Sequence, residues 1–143
     1  MYVRGRLSPL LKRTEKMIEN KIIKEKINNI YSSFYSNDYC SQFFFKTILH
    51  HVISLEVFEN NNDNGISFEK LCSKIPNAIG SRSSIQSILT HALERKIFIK
   101  KESLVDKRVK NYFLSNNYFD LINSWIKKEQ IYFTHTNGEN FEN

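Results

Sequence analysis

"SRSSIQSILTHALERKIFIKKESLVDKRVKNYFLS", residues 81 to 115, decides how the rest of the chain is read. Its first half has helical spacing: Ile85, Ile88, Leu89, Ala92 and Leu93 recur at steps that build one apolar stripe. Ser81 stands just before that stripe as an N-cap. The second half switches to a period of two. "IFIKKE" (97–102) and "VKNYFLS" (109–115) alternate and are rich in β-branched and aromatic residues, so they predict two strands. "SLVDKR" (103–108) is then the tip of a hairpin, and it carries the densest charge of the stretch.

Upstream, "FEKLCSKI" (68–75) predicts a short helix capped by Ser67, with Phe68, Leu71, Cys72 and Ile75 on one face. Pro76 stops it, because proline cannot continue the ladder and restricts the residue before it. "PNAIG" (76–80) is a short turn in which Gly80 is available for a left-handed conformation. "NNNDNG" (60–65) is an exposed loop. Before it, "QFFFKTILHHVISLEVFE" (42–59) reads as one helix, apolar on most sides and therefore central. "SNDYCSQ" (36–42) is a break with Asn37, Asp38 and Ser41 as N-cap candidates.

From Pro9, placed where a first helical turn tolerates it, a further helix is expected to about Ser36. Its Ile23, Ile27, Ile30 and Phe34 share one face, as a coiled-coil seam would. Downstream, Asn116 or Asn117 caps a last helix with Tyr118, Leu121, Ile122, Trp125 and Ile126 on one side. The fold class is thus mainly α with a small β-hairpin wing: a winged helix-turn-helix flanked by N- and C-terminal helices. The expected division is 1–36, an N-terminal basic segment and helix; 37–116, the winged helix-turn-helix; 117–133, the C-terminal helix; and 134–143, a polar flexible tail.

The chain has 143 residues and a formal net charge of +6. Its charge is concentrated in two blocks. Residues 1–27 and 81–110 each hold eight bases against three acids. Such blocks suit a polyanion. No apolar run reaches the ~20 residues of a membrane span, and no secretory signal pattern opens the chain. Two well-separated cysteines, Cys40 and Cys72, do not make a disulfide framework, so a cytoplasmic setting is expected. The cysteines and His50, His51, His91 and His135 lack metal-ligand spacing. No Gly-rich phosphate loop and no nucleophile with a base and an orienter stand out, so neither an enzyme nor a cofactor is expected.

Helix 81–96 and the hairpin supply the candidate site. Ser83, Gln86, Ser87 and Thr90 point away from the apolar stripe. Gln pairs bidentately with adenine, while Ser and Thr bond bases or phosphates. Arg82 and Ser84 lie at the helix N-terminus, where backbone N–H groups and the dipole favour a phosphate. A purely solvated helix face more often carries Glu and Lys pairs. In the hairpin, Lys100, Lys101, Lys107, Arg108 and Lys110 cluster around the tip. A wing of this kind straddles the backbone and presents an arginine to a narrow A·T-rich minor groove. Asp106 would oppose such binding unless it folds back to hold the Arg108 guanidinium.

The run "ALERKIFIKKESLVDKRVKNYFLS" resembles the recognition-helix end and wing of the multiple-antibiotic-resistance regulator (MarR) family. Asp106 and Arg108 fall on that family's D-x-R positions, and Leu114-Ser115 on its closing pair. "ISFEKLCSKI…SRSSIQSIL" is similar to its helix-turn-helix elements. The resemblance covers roughly residues 40 to 130. Three departures stand out: the family commonly has Gly where Lys96 stands, often a second acid earlier in the wing, and a Lys-Gly where Asn116-Asn117 stand. The resemblance implies a homodimer built from the terminal helices, double-stranded DNA with a palindromic operator as partner, and a small-molecule effector of unknown identity. The 23–34 face and the Trp125 stripe would serve such a dimer or pack within the chain. Tyr31, Phe34, Tyr35 and Phe43 line a pocket or belong to the core. The competing reading is a winged-helix protein–protein module or adaptor, in which a partner chain covers the Ser83–Thr90 face.

Overall fold

The computed structural model describes residues 9–141. In chain order the elements are α1 (Pro9–Tyr35), α2 (Tyr39–Phe45), α3 (Ile48–Asn60), β1 (Ile66–Ser67), α4 (Phe68–Lys74), α5 (Arg82–Glu94), β2 (Phe98–Glu102), β3 (Lys110–Leu114) and α6 (Asn116–Phe141). They form two compact units. One is Asn37–Ile126; the other runs to Ser36 and resumes at Lys127.

The central unit is built on the apolar stripes read from the sequence. Ile85, Leu89 and Ala92 of α5 are buried with Leu71 of α4, Ile53 and Val57 of α3, and Tyr118 and Ile122 of α6. Truncating a fully buried leucine such as Leu71 or Leu89 to Ala costs about 2–5 kcal/mol, the lost transfer energy plus the cavity left behind. Among buried polar groups, Ser54 Oγ donates to the His50 carbonyl at 2.7 Å and lies 2.6 Å from Tyr118 Oη. Burial raises the Tyr118 phenol well above its ordinary range, so it stays neutral and can share that bond. Phe43, Phe44, Phe98 and Tyr118 meet edge-on or tilted, as aromatic quadrupoles favour. Phe43 is therefore core, whereas Tyr31, Phe34 and Tyr35 are exposed.

The caps expected at Ser67 and Ser81 are present: Ser67 Oγ accepts from Lys70 N at 3.1 Å and Ser81 Oγ from Ser84 N at 3.2 Å. Several expectations need correction. The stretch 42–59 is two helices, not one. Thr47 has extended backbone, with φ −144° and ψ 167°, and its Oγ1 accepts from His50 N, so it caps α3 and interrupts the run. Asp38, one of three candidates, caps α2 by accepting from Cys40 N at 3.1 Å. The hydroxyl that caps α6 belongs to Ser115, which accepts from Tyr118 N at 3.3 Å; neither Asn116 nor Asn117 does so. The helix itself continues past residue 133 to Phe141, through a segment that holds no proline to stop it.

Gly80 is not left-handed. It is glycine because a Cβ there would overlap the Leu49 side chain. Among the described residues the left-handed positions are Asn64, Gly65 and Lys96, at φ 69°, 69° and 58°. Lys96 closes α5 into β2: its N–H donates to the Leu93 carbonyl at 3.1 Å, and Ile97 N to the Ala92 carbonyl at 2.8 Å. A lysine held there is strained relative to glycine.

The hairpin is also more than a hairpin. β1 adds to it, giving an antiparallel three-stranded sheet in the order β1-β3-β2. Phe98 faces Leu114 and Glu102 faces Lys110 across β2 and β3, while Ile66 faces Tyr112 across β1 and β3. Gly65 allows β1 its approach, since a Cβ on it would lie 2.7 Å from the Tyr112 carbonyl oxygen.

In the other unit, α1 and the later part of α6 are joined by an ion pair, Lys26 Nζ to Glu129 Oε2, at 2.6 Å. The α1 face carrying Ile23, Ile27, Ile30 and Phe34 is 40 to 52% exposed. Single exposed apolar side chains are ordinary; an aligned row of them is not. No helix among the described residues is long and apolar enough to cross a membrane.

Candidate nucleic-acid interface

Ser81 and Arg82 open α5 after a turn of a few residues from α4. The Ser81 hydroxyl lies 3.1 Å from Ser83 Oγ and donates to Ser84 Oγ at 3.0 Å, so the first turn presents a cluster of hydroxyls. One turn on, Thr90 Oγ1 donates to the Gln86 carbonyl at 2.9 Å and accepts from Gln86 Nε2 at 3.3 Å. Ser83, Ser84, Gln86, Ser87 and Thr90 are all exposed. The face is neutral, and its amide and hydroxyls are tied only to their own helix.

Arg82 differs from its neighbours. Its Nη1 and Nη2 donate to the two carboxylate oxygens of Glu69 at 3.0 and 2.7 Å, and its guanidinium lies 4.9 Å from the Phe68 ring centroid. The hydrogen bond and charge of Arg82 hold the Glu69 carboxyl below its usual range. The arginine expected to await a phosphate is therefore engaged by the first turn of α4. Glu69 was not singled out from the sequence, since an exposed glutamate there reads as helix-dipole complement.

Beside α5 runs a groove of about 730 Å³, lined by His50, Ile48 and Ile79 together with Ser83, Ser84 and Ser87. His50 Nδ1 lies 2.7 Å from Thr47 Oγ1. Burial, then the nearby charges of Lys46 and His91, lower the imidazole to about 4, so it is neutral at physiological pH.

The wing carries the cations. Lys100 and Lys101 lie over the rings of Tyr112 and Phe113, with Nζ 5.5 and 5.3 Å from the centroids. Lys110 pairs with Glu102 across the ladder at 3.1 Å, and Lys107 is exposed. At the tip, Arg108 Nε and Nη2 donate to Asp106 Oδ1 and Oδ2, both at 3.2 Å, and Arg108 N donates to Oδ1 at 3.0 Å. That bonding lowers the Asp106 carboxyl. The Arg108 side chain nevertheless remains 90% exposed, so the acid steers the guanidinium without covering it.

The scaffold of the tip escaped sequence reasoning. Ser103 is buried, and its Oγ accepts from Val105 N at 3.2 Å, Asp106 N at 3.4 Å and Asn64 Nδ2 at 3.1 Å. Asn64 Oδ1 accepts from Leu104 N at 3.1 Å, and Asn111 Nδ2 donates to the Asn64 carbonyl at 2.7 Å. The stretch 60–65 is expected to be an exposed loop, but Asn64 and Gly65 are half-buried, and the contacts of Asn64 lie some 40 residues away, beyond any local pattern. Among the described residues, no group of three or more His, Cys, Asp or Glu side chains gathers as metal ligands would.

No protein-family model matches the sequence, and no curated protein matches it. Solved structures do. S. aureus MepR bound to ethidium bromide aligns with a TM-score of 0.58 at 12% identity, over 92% of this chain and 84% of that one. A glycine-to-lysine mutant of MepR aligns at 0.50 with 15% identity, over 87% and 82%. The transcriptional regulator SlyA aligns at 0.45 with 15% identity, over 91% and 79%. Six helices among the described residues, together with a small antiparallel three-stranded sheet and the match to MepR over most of the chain, make this a MarR-like winged-helix fold.

Proposed function

We propose that this chain is a sequence-specific double-stranded DNA-binding transcription regulator. It acts as a homodimer on a palindromic operator. Helix α5 lies in the major groove and the wing lies on the minor groove or backbone. One observation carries this reading: a neutral hydroxyl-and-amide helix face runs directly into a cationic wing whose Arg108 is aimed outward by Asp106. Base-edge readers on a helix and cations on an adjoining ribbon are the two halves of direct readout and phosphate or groove contact.

In this reading Ser83, Gln86, Ser87 and Thr90 read bases. Ser84 and the wing lysines 100, 101, 107 and 110 meet phosphates, Arg108 enters the minor groove, and Arg82 joins them only on leaving Glu69. Residues 37–116 form the DNA-binding part, and segments 1–36 and 117–133 the dimer. The aligned exposure of Ile23, Ile27, Ile30 and Phe34 supports the dimer, because a second copy would remove that row from water. A MepR structure holds ethidium bromide. Here a small apolar molecule in the groove beside His50 would lie against Ser83 and Ser87, and so alter the reading face.

The test is titration of an A·T-rich duplex at several salt concentrations. Binding should weaken steeply and log-linearly with salt, because each phosphate contact releases counterions. Micromolar protein that leaves duplex unshifted at low salt would refute the reading. The mass in solution checks the dimer.

A further inference from the structure

The wing tip presents two apolar side chains that its own architecture forces into water. Leu104 and Val105 are 89% and 91% exposed, among the most exposed large hydrophobic residues of the chain. A loop free to relax would fold such groups onto the sheet, where burial of each is favourable. This loop is not free. Asn64 Oδ1 holds Leu104 N, Ser103 Oγ holds Val105 N and Asp106 N, and Val109 N donates to the Asp106 carbonyl at 3.0 Å. The backbone is thus fixed with both side chains pointing out. Three residues on, Arg108 is fixed by Asp106 and equally exposed. A rigid tip that combines apolar side chains with an aimed cation matches a surface that is anionic outside and apolar within. The minor groove of duplex DNA, with stacked base faces behind its phosphates, is such a surface. An adaptor's apolar protein partner would match the apolar pair but leave the exposed charges of Lys107 and Arg108 without a complement.

We propose that Leu104, flanked by Val105, is an apolar wedge that enters the minor groove beside Arg108 and partly unstacks a base step. The proposal rests on the DNA-binding reading and adds to it a deformation of the DNA. Apolar side chains inserted between steps kink a duplex in this way, and pyrimidine–purine steps yield most readily. The wing then contributes preference through the flexibility of a step that it reads with no hydrogen bond.

The experiment uses the full chain and an A·T-rich duplex carrying 2-aminopurine at its TA steps, a probe whose fluorescence rises on unstacking. Wild type at saturation should raise the signal. The double variant Leu104→Ser/Val105→Ser should bind severalfold more weakly and raise it little, with an unchanged melting temperature because both side chains are already in water. Arg108→Ala should weaken binding yet restore the signal once saturated. Duplex bound by wild type without a rise would overturn the wedge and leave the DNA-binding reading intact, as would a double variant equal to wild type. Duplex left unbound by wild type would overturn both. Loss in the double variant of binding to phosphatidylserine vesicles, with duplex unbound, would assign the tip to a membrane surface instead.

Discussion

Two arginines of this chain are each gripped by a carboxylate, and the two pairs do opposite things. Arg82 reaches Glu69 across 13 residues, from the start of one helix to the first turn of another, with Phe68 beneath it. Arg108 reaches Asp106 two residues back, inside one turn. The first pair links α4 to α5 and takes a cation out of circulation at the reading helix. The second leaves its cation more exposed, 90% against 60%, and gives it a direction. An Asp or Glu near a basic cluster is therefore no simple subtraction of charge; its sequence distance from the arginine decides whether it braces or aims.

Acid should separate the two regions most strongly. His50 stands in the groove against α5, facing Thr47 and the charges of Lys46 and His91, and its folded value of about 4 lies below the ordinary 6.5. Above pH 6.5 it is neutral folded or unfolded. As pH falls from 6.5 towards 4, the unfolded chain takes up a proton that the folded chain refuses, so stability drops, by about 2–3 kcal/mol in all. Asp106 has the opposite sense of partner. Its folded value is lowered from 3.8 by Arg108, so its contribution is complete above that pH and is lost only on further acidification. Urea unfolding followed against pH should show the first loss, and His50→Gln should flatten it; a wild-type midpoint unchanged between pH 6.5 and 4 would remove His50 from the account.

Next in size is Arg108→Ala, expected to cost about 1–3 kcal/mol in duplex binding while leaving the unfolding midpoint in place. Equal affinities in titration would take the tip out of the mechanism. Smaller again is the joint between helix and wing. Lys96→Gly should stabilise by about 1 kcal/mol, because glycine occupies φ 58° without the strain a side chain adds. A lowered melting temperature would contradict this. The finest distinction is in salt dependence. Glu69→Gln should free Arg82 for a phosphate and steepen the slope of log affinity against log salt by about one. Asp106→Asn, the same deletion of charge, should instead weaken binding because Arg108 loses its direction. If both variants tighten binding, bracing and aiming are not different roles.

Periodicity carried most of the fold. The stripes of α4 and α5, the caps at Ser67 and Ser81, and the alternation of the wing are local signals, and each has its counterpart in the structure. The Asp106–Arg108 geometry was also within reach, since both partners lie in one turn. What stayed hidden depends on distance or on a single torsion. Thr47 breaks an apolar run that hydropathy alone reads as continuous. The two-residue β1 is too short to show alternation and exists because β3 offers an edge to it. Gly80 looks like a turn residue, but its reason is the neighbouring Leu49. Glu69 could have been paired with Arg82 only by knowing how α4 and α5 cross.

Asn64 has one further consequence, which concerns motion. Its side chain and carbonyl are bonded to Leu104 N, Ser103 Oγ and Asn111 Nδ2. A hairpin tip ordinarily exchanges its amide hydrogens with solvent almost as fast as an unfolded peptide. Here the amides of residues 104, 105, 106, 108 and 109 all have acceptors, and the Ser103 hydroxyl that serves two of them is itself held by Asn64. They should open together as one small cooperative block. The timescale on which the wing breathes is thus governed from the loop before β1, by a residue 40 positions away in the sequence.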